Sequence, residues 1–374
     1  MANAPDIIVI GGGIAGLSAA AVLAGQARVT VIEAEAQIGF HSSGRSATML
    51  HYALGDRLVR ALTQASRPFF DEPPEAFTGV PLGQRMPVLV FARDDEKVAL
   101  DTLHADLSPF ADLERLDASG VAELCPLLRP DQRHGFVDRD GLRLDSHALL
   151  QGNLRALREC GGQLVTGARI ATIAREGGAW RVTSETGDSW SAPIIVNAAG
   201  AWADRVAALA AVAPIGLVPK RRTIITFDAP PGIDLAGFPF AKTIPDELYF
   251  APESGRLFAS PMDEGVCDPC DAQPEEYEAA LAAHRMEQRT TVQVRRIHSR
   301  WAGLRTFAPD KHPAVGFAGD ADGFFWLAGQ GGYGLQTSPA LALATAALIN
   351  DGEWPLADVP PEALSPDRFL GQPA

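Results

Sequence analysis

Cysteine, basic charge and long apolar runs are all scarce in this chain. Its 374 residues include four cysteines, too few and too scattered for a disulfide framework, so a reducing, cytoplasmic setting is expected. No window approaches about 18 uninterrupted apolar residues, and the apolar N-terminal stretch is broken by glycines and lacks a basic leader. Neither a transmembrane segment nor an export signal is therefore expected. Against 46 Asp and Glu stand 32 Lys and Arg, a net charge of −14 with a pI near 5.0. That balance argues against nucleic acid and anionic membranes as partners and leaves small molecules as the expected ligands. No heptad run or fixed-period repeat is present, which sets aside coiled coils and solenoids. Cys267-Asp-Pro-Cys270 has the spacing of a redox or metal pair. It lies in acidic sequence that raises thiol pKa values, with no second Cys or His pair nearby, and reads as a surface loop with no metal.

What is present is concentrated at the N-terminus. An apolar run, Ile7 to Ile10, leads into Gly11-x-Gly13-x-x-Gly16, an alanine-rich helix follows, and a second apolar run ends at Glu33. Gly11 permits a tight turn, Gly13 removes the Cβ that would block a pyrophosphate, and Gly16 lets the helix pack closely on the sheet. The unpaired N–H groups of the helix start face the phosphates. Glu33, about 20 residues beyond the first glycine, can accept ribose hydroxyls and would repel a 2′-phosphate. A dinucleotide other than NADP is implied; the motif alone does not separate NAD from FAD.

Further strand-and-helix units follow. Asp145 is placed to cap a helix that ends at Gly161-Gly162, with a strand over 163–166 after it. Residues 169–175 and 179–185 read as a hairpin around Glu176-Gly177-Gly178. Ile194-Ile195-Val196-Asn197 has the continuous apolar character of a buried parallel strand. Residues 324–328 form another strand before Gly329-Gln-Gly331-Gly332-Tyr-Gly334, and Thr337 or Ser338 is expected to cap the last helix, with Pro339 in its first turn. The intervening segments, 80–140 and 217–300, lack such units. The expected architecture is α/β: a doubly wound dinucleotide domain (1–80, 141–216 and 301–374) interleaved with an α+β substrate domain on an antiparallel sheet (81–140 and 217–300). At about 150 residues per domain, two domains suit the length.

Together, Gly11-x-Gly13-x-x-Gly16 with Glu33, His41-Ser-Ser-Gly-Arg-Ser46, Asn197-Ala-Ala-Gly-Ala-Trp202, Trp301-Ala-Gly-Leu-Arg305 and Gly331-Gly-Tyr-Gly-Leu-Gln-Thr337 resemble the FAD-dependent D-amino acid oxidase superfamily. Within it the bacterial D-arginine dehydrogenases are the nearest likeness. The resemblance covers nearly the whole chain and implies noncovalent FAD. It assigns Gly11, Gly13, Ile14, Ala15, Gly16, Glu33 and Ala34 to the ADP half, and Ser42, Ser43, Gly44, Arg45, Ser46 and Ala47 to the pyrophosphate and isoalloxazine. Ile170, Ala199, Gly200, Trp202 and Gly303 would also lie along the cofactor. Gly331, Tyr333, Gly334, Leu335, Gln336 and Thr337 would bring backbone N–H groups and a helix N-terminus to the flavin pyrimidine ring, where a positive dipole end suits anionic reduced flavin.

For the substrate, the resemblance assigns Arg222, Arg305 and Tyr249 to the carboxylate and the Gly332 carbonyl to the amine. The residues alone leave other readings. Arg305 could pair internally, Arg222 sits in a basic triplet that could be a solvated face, and Tyr249 could be an ordinary strand tyrosine. Departures from the family pattern concern the side-chain end. The glutamate that grips a guanidinium becomes Val88, and the histidine and tyrosine of the mobile loop become Met49 and Leu54, while His51 and Tyr52 also lie on that loop. Losing polar anchors disfavours D-arginine and D-lysine and favours apolar D-amino acids. The implied reaction is oxidation of a D-amino acid to the imino acid by hydride transfer from Cα to flavin N5, then hydrolysis to a 2-oxo acid and ammonia. No catalytic base is assigned, and a quinone-like acceptor or oxygen would take the electrons. Residues 45–56 would act as a lid pivoting at Gly44 and Gly55. Alternatives are a secondary amine such as sarcosine or glycine, a 2-hydroxy acid, a flavoprotein without turnover, and, last, an NAD enzyme.

Overall fold

The computed structural model describes residues 4–370; residues 1–3 and 371–374 of the expected cofactor domain lie outside the described residues. Ile7–Ile10 is buried along its length, and its side chains divide by parity. Ile7 and Val9 enter one core with the helices Ile14–Leu23, Ser146–Glu159 and Gly334–Ile349. Ile8 and Ile10 enter a second core with Ile173, Trp180 and Val182 of a small antiparallel sheet and with Val206 of the Ala203–Leu209 helix. A continuous apolar run is what a strand covered on both faces requires.

Ile7–Ile10 pairs in parallel with Val29–Ile32 and Ile194–Asn197. Gln163–Val165, Phe324–Ala328 and the antiparallel edge strand Ala314–Phe317 complete a six-stranded sheet. At Gly11, φ is +114° and an added Cβ would lie 2.4 Å from the Ala198 carbonyl oxygen; at Gly16 it would lie 2.0 Å from the Gly11 carbonyl oxygen. These are the tight turn and the close helix packing that the motif requires. Asp145 caps its helix by accepting from Ala148 N–H, and the hairpin forms between Ile170–Glu176 and Ala179–Ser184.

The second, ten-stranded sheet contains Val88–Ala92, Val218–Phe227, Phe240–Thr243, Tyr249–Glu253, Arg256–Ser260 and the eleven-residue strand Ile297–Phe307. Its segments also carry the helices Lys97–Leu107, Ala118–Leu124 and Glu276–Arg289, which the sequence pattern did not suggest. In the first of these only Leu100 and Leu107 are buried, so an apolar period hardly shows. The two sheets meet where Gln330–Gly331, just past Phe324–Ala328, pairs with Thr306 and Phe307.

Two expectations need correction. The last helix begins at Gly334 with Tyr333 at its N-cap, which places Thr337, Ser338 and Pro339 inside it. Pro339 has no N–H for the Leu335 carbonyl, and the Ser338 hydroxyl donates to that carbonyl instead, at 3.0 Å. The second concerns the lid. Met49–Leu50 is a short strand paired with Leu142 and Arg143, and residues 49–53 are all buried. In this structure the segment is a packed wall: Leu50 joins the core of the first sheet, Met49 the cluster around Tyr249, and Tyr52 and Ala53 the cluster beneath the Lys97–Leu107 helix. Among the described residues no helix is long and apolar enough to cross a membrane.

Candidate active site and cofactor cleft

Two cavities of about 1210 and 1190 Å³, open mouths included, share Gly13, Ser42, Ser43, Ala198 and Gly200 in their walls. They form one cleft that crosses the Gly11–Gly16 turn.

Ile10, Gly11, Glu33, Ala34, Ile170, Ala199 and Trp202 line the half beside the first strands. The Glu33 carboxylate accepts from Gly12 N–H at 2.6 Å and from Glu35 N–H at 2.8 Å, which fixes it in the wall of this half. At the crossing point the Ser43 hydroxyl accepts from Ile14 N–H at 2.9 Å, and the Ser42 hydroxyl donates to the Leu304 carbonyl at 2.6 Å. The helix start is thereby tied to the long strand of the second sheet. At Gly13 a Cβ would come within 3.3 Å of the Ser43 hydroxyl. A cleft with a glycine floor, a helix N-terminus at its waist and a carboxylate at one end fits an extended dinucleotide.

The other half is lined by Ile14, Ala15, Arg45, Ser46, Ala47, Gly303, Gly331, Gly334 and Leu335, and beyond them by Met49, His51, Leu54, Arg222, Tyr249, Arg305 and Gly332. Register explains how Arg222 and Arg305 meet. Val218–Phe227 and Ile297–Phe307 are antiparallel neighbours, with Arg222 opposite Gly303 and Lys220 opposite Arg305. At Gly303 an added Cβ would lie 3.2 Å from the Arg45 Cβ, so the strand packs closely against the Ser42–Arg45 segment. Gly332 is more sharply constrained, since a Cβ there would lie 2.1 Å from the Arg305 guanidinium.

An internal counter-ion does exist for this cluster. Glu264 lies 2.8 Å from Lys220, 3.4 Å from Arg222 and 3.7 Å from Arg305. Its carboxyl is held below the ordinary range: burial pushes it up, but the Lys220 hydrogen bond and the charges of Lys220, Arg305 and Arg222 prevail. The pairing is incomplete. Buried Arg305 Nη1 has no hydrogen-bond partner among the described residues, and the Arg305 guanidinium is pushed down to about 10 by burial and the Arg222 charge. Arg222 Nε donates to the Asp263 carbonyl at 2.8 Å, but beyond that the two guanidiniums share the distant Glu264, and a bidentate carboxylate would complete the site. Tyr249 stands in the same wall, stacked on Phe240 at 5.2 Å.

Several expected contacts are absent from the cleft walls. Val88 is fully buried in a cluster with Met49, Phe240 and Tyr249, because it is one strand further out than Phe240 and Met49 covers it. Tyr52 packs against Phe110 in another cluster. The Tyr333 side chain turns onto Phe307 and its hydroxyl donates to the Lys311 carbonyl. Gln336 holds the His51 backbone and donates to Thr63 at 2.7 Å, and Thr337 bonds the Tyr333 carbonyl. Gly16 and Gly44 are packing positions, each facing a nearby carbonyl. Arg45 lines the cleft, but its guanidinium is taken up by Asp271 and the Ala272 carbonyl.

The sequence reading missed Lys242, Ile224, Phe240 and Met262, all in the wall near Tyr249. Pro239 and Pro245 flank Lys242 and disguised its strand, so nothing in the alternation marked it as inward-facing. None of the four cysteines lies in either wall. Burial, with Cys270 and Asp268 adding to it, pushes the half-buried Cys267 thiol up.

The profile of the FAD dependent oxidoreductase family, DAO, matches residues 6–348. The chain belongs to this family. FAD is thus the dinucleotide that the cleft accommodates. The chain is similar to the hydrogen cyanide synthase subunit HcnC of Pseudomonas aeruginosa, 25% identical over 228 residues that cover 60% of this chain and 52% of that protein. It is similar also to the tRNA 5-methylaminomethyl-2-thiouridine biosynthesis bifunctional protein MnmC of Maricaulis maris, 26% identical over 366 residues that cover 97% of this chain and 55% of that one. The matched regions span about half the length of these curated relatives. Among solved structures, the L-proline dehydrogenase from P. horikoshii superimposes with a TM-score of 0.84 at 22% identity, covering 99% of this chain and 98% of that one. That likeness shows a shared fold.

Proposed function

We propose that this family member oxidises the amine of a D-amino acid to the imino acid, which water then converts to a 2-oxo acid and ammonia. The observation that carries this reading is the unsatisfied Arg305 guanidinium beside Arg222 in the wall of the cleft. Bound FAD supplies a two-electron acceptor for the substrate hydride. The chain's own residues do the positioning. Arg222, Arg305 and Tyr249 hold the carboxylate, the Gly332 carbonyl accepts from the amine, and Cα is thereby aimed along the cleft. With no protein base assigned, the amine loses its proton to water.

The likeness to D-arginine dehydrogenases supports the clamp and not the side-chain end. Every charged side chain in this half of the cleft is cationic (Arg45, Arg222, Lys242 and Arg305), which works against D-arginine and D-lysine. Met49, Leu54, Ile224, Phe240 and Met262 give the substrate side chain an apolar wall, so D-leucine, D-methionine and D-phenylalanine are the expected class. FAD is held noncovalently, and a quinone-like acceptor or oxygen in the cytoplasm takes the electrons. A second reading, oxidation of a secondary amine, draws on the solved relative being an L-proline dehydrogenase.

Anaerobic bleaching of the flavin across paired D- and L-amino acids, sarcosine and 2-hydroxy acids tests the proposal. Reduction by D-leucine and D-methionine, faster than by their L-enantiomers, by D-arginine, by sarcosine or by any 2-hydroxy acid, is expected. Reduction by L-amino acids or sarcosine alone would overturn it.

A further inference from the structure

The apolar wall does not continue to the end of the substrate half. Lys242 lines it while only 3% exposed. Its Nζ donates to the Ala53 carbonyl at 2.8 Å and lies 2.6 Å from the Asp246 carboxylate, which leaves one of three N–H groups without an acceptor among the described residues. Asp246 is 61% exposed on its side chain, so solvent weakens its hold on the ammonium. Beside Lys242 in the same wall is His51, 4% exposed, whose Nδ1 has no hydrogen-bond partner. Two buried polar groups with unused capacity thus face one cavity, and no Asp or Glu lines that half to meet them.

Sheet register sets their separation from the clamp. Lys242 is opposite Tyr249, Tyr249 is opposite Ser260, and Ile225 is opposite Ala259, which brings Ile224 level with Ser260. Lys242 and Ile224 are therefore three strand spacings apart, about 14 Å. Arg222 lies two residues along from Ile224 on the same face, and both long cationic side chains shorten the gap from its two ends. A short linear chain carrying an anion at each end suits that space.

We infer that Lys242 and His51 form a distal anion subsite, and that the substrates this site accepts best are amino acids with a second acidic group at the end of a short apolar stem. The inference rests on the proposed carboxylate clamp and refines the side-chain class. Lys242 selects by direct contact with the substrate's far end. A carboxylate there meets a partly desolvated ammonium with a charge-assisted bond, a neutral amide meets it more weakly, and an apolar tip leaves that donor unmet.

The test uses FAD-loaded enzyme with glutarate and pentanoate as ligands, followed by perturbation of the flavin absorbance, and then D-glutamate, D-glutamine and D-methionine as anaerobic reductants. Glutarate is expected to bind about tenfold or more tightly than pentanoate, and D-glutamate to exceed D-glutamine by a similar factor. Lys242→Met should bring both ratios to about one. Asp246→Asn, a change at an exposed position, should raise them by removing the competing carboxylate. Pentanoate binding as tightly as glutarate, ratios that persist in Lys242→Met, or ratios that fall in Asp246→Asn would each overturn the subsite. If D-methionine bleaches the flavin while D-glutamate does not, the subsite fails and the clamp reading stands. If glutarate is preferred but no D-amino acid reduces the flavin, the subsite stands and the proposed reaction fails.

Discussion

The two halves of the cleft recognise their ligands by different means. Beside the first strands the wall presents glycines where a Cβ would collide, N–H groups at a helix start, and the Glu33 carboxylate fixed by two N–H groups. At the proposed substrate end the wall is side chains drawn from several strands, and its charge is unbalanced, with Arg222, Arg305 and Lys242 against the partly exposed Glu264 and Asp246. Backbone recognition tolerates little change in the chain and fixes the cofactor. Side-chain recognition can be rewritten by one substitution, which is why a common fold serves many substrates.

If that contrast holds, the largest loss comes from breaking the clamp. Arg305→Met should lower the second-order rate of flavin reduction by about 3 kcal/mol, roughly a hundredfold, while leaving FAD bound. A loss under about threefold would show that Arg305 serves Glu264 and not substrate. Gly332→Ala lies beside the clamp, and its methyl displaces the Arg305 guanidinium. Reduction slowed by roughly tenfold or more is expected, with an unchanged flavin spectrum; a wild-type rate would mean that the close contact is not functional. At the end beside the first strands, Glu33→Ala should weaken FAD retention on dialysis by about tenfold and leave the reduction rate of the remaining holoenzyme alone. Unaltered FAD affinity would remove Glu33 from the nucleotide site.

The smallest effect concerns a helix cap at the surface, outside the cleft. Asp56 caps the Arg57–Asp71 helix by accepting from Leu58 and Val59, and it pairs with His312 at 2.6 Å. Burial pushes its carboxyl up, but the His312 hydrogen bond and the helix N–H groups prevail and hold it below its ordinary value. A carboxylate with a depressed folded pKa adds stability that is present above its unfolded pKa and lost as pH falls through the folded value. Asp56→Ala should therefore cost about 1 kcal/mol at neutral pH, a Tm decrease of about 1–2 °C, with the gap closing in acid. A gap that widened in acid would contradict this assignment.

Legibility in the sequence followed the same division. The Gly11–Gly16 turn, Glu33 and the Ile194–Asn197 strand were readable because each is a local pattern whose spacing alone sets its geometry. Arg222 and Arg305 could be named through family resemblance, but their meeting depends on Arg222 lying opposite Gly303, a pairing between segments about eighty residues apart. Lys242 was missed, and Val88 misplaced by one strand, because facing in a buried sheet is set by tertiary register. Tyr333 and Gln336 were expected to bring backbone N–H groups to the flavin, and the turn of their side chains away from the cleft, onto the Lys311 carbonyl and Thr63, depends on tertiary packing that no local pattern carries.

The central claim, that a substrate carboxylate completes the Arg222–Arg305 pair, is tested most directly by anaerobic reduction of the bound flavin with D-methionine beside 3-(methylthio)propylamine, the same molecule without its carboxylate. Rapid bleaching by the amino acid is expected, and bleaching slower by at least about a hundredfold with the amine. Equal rates would contradict it.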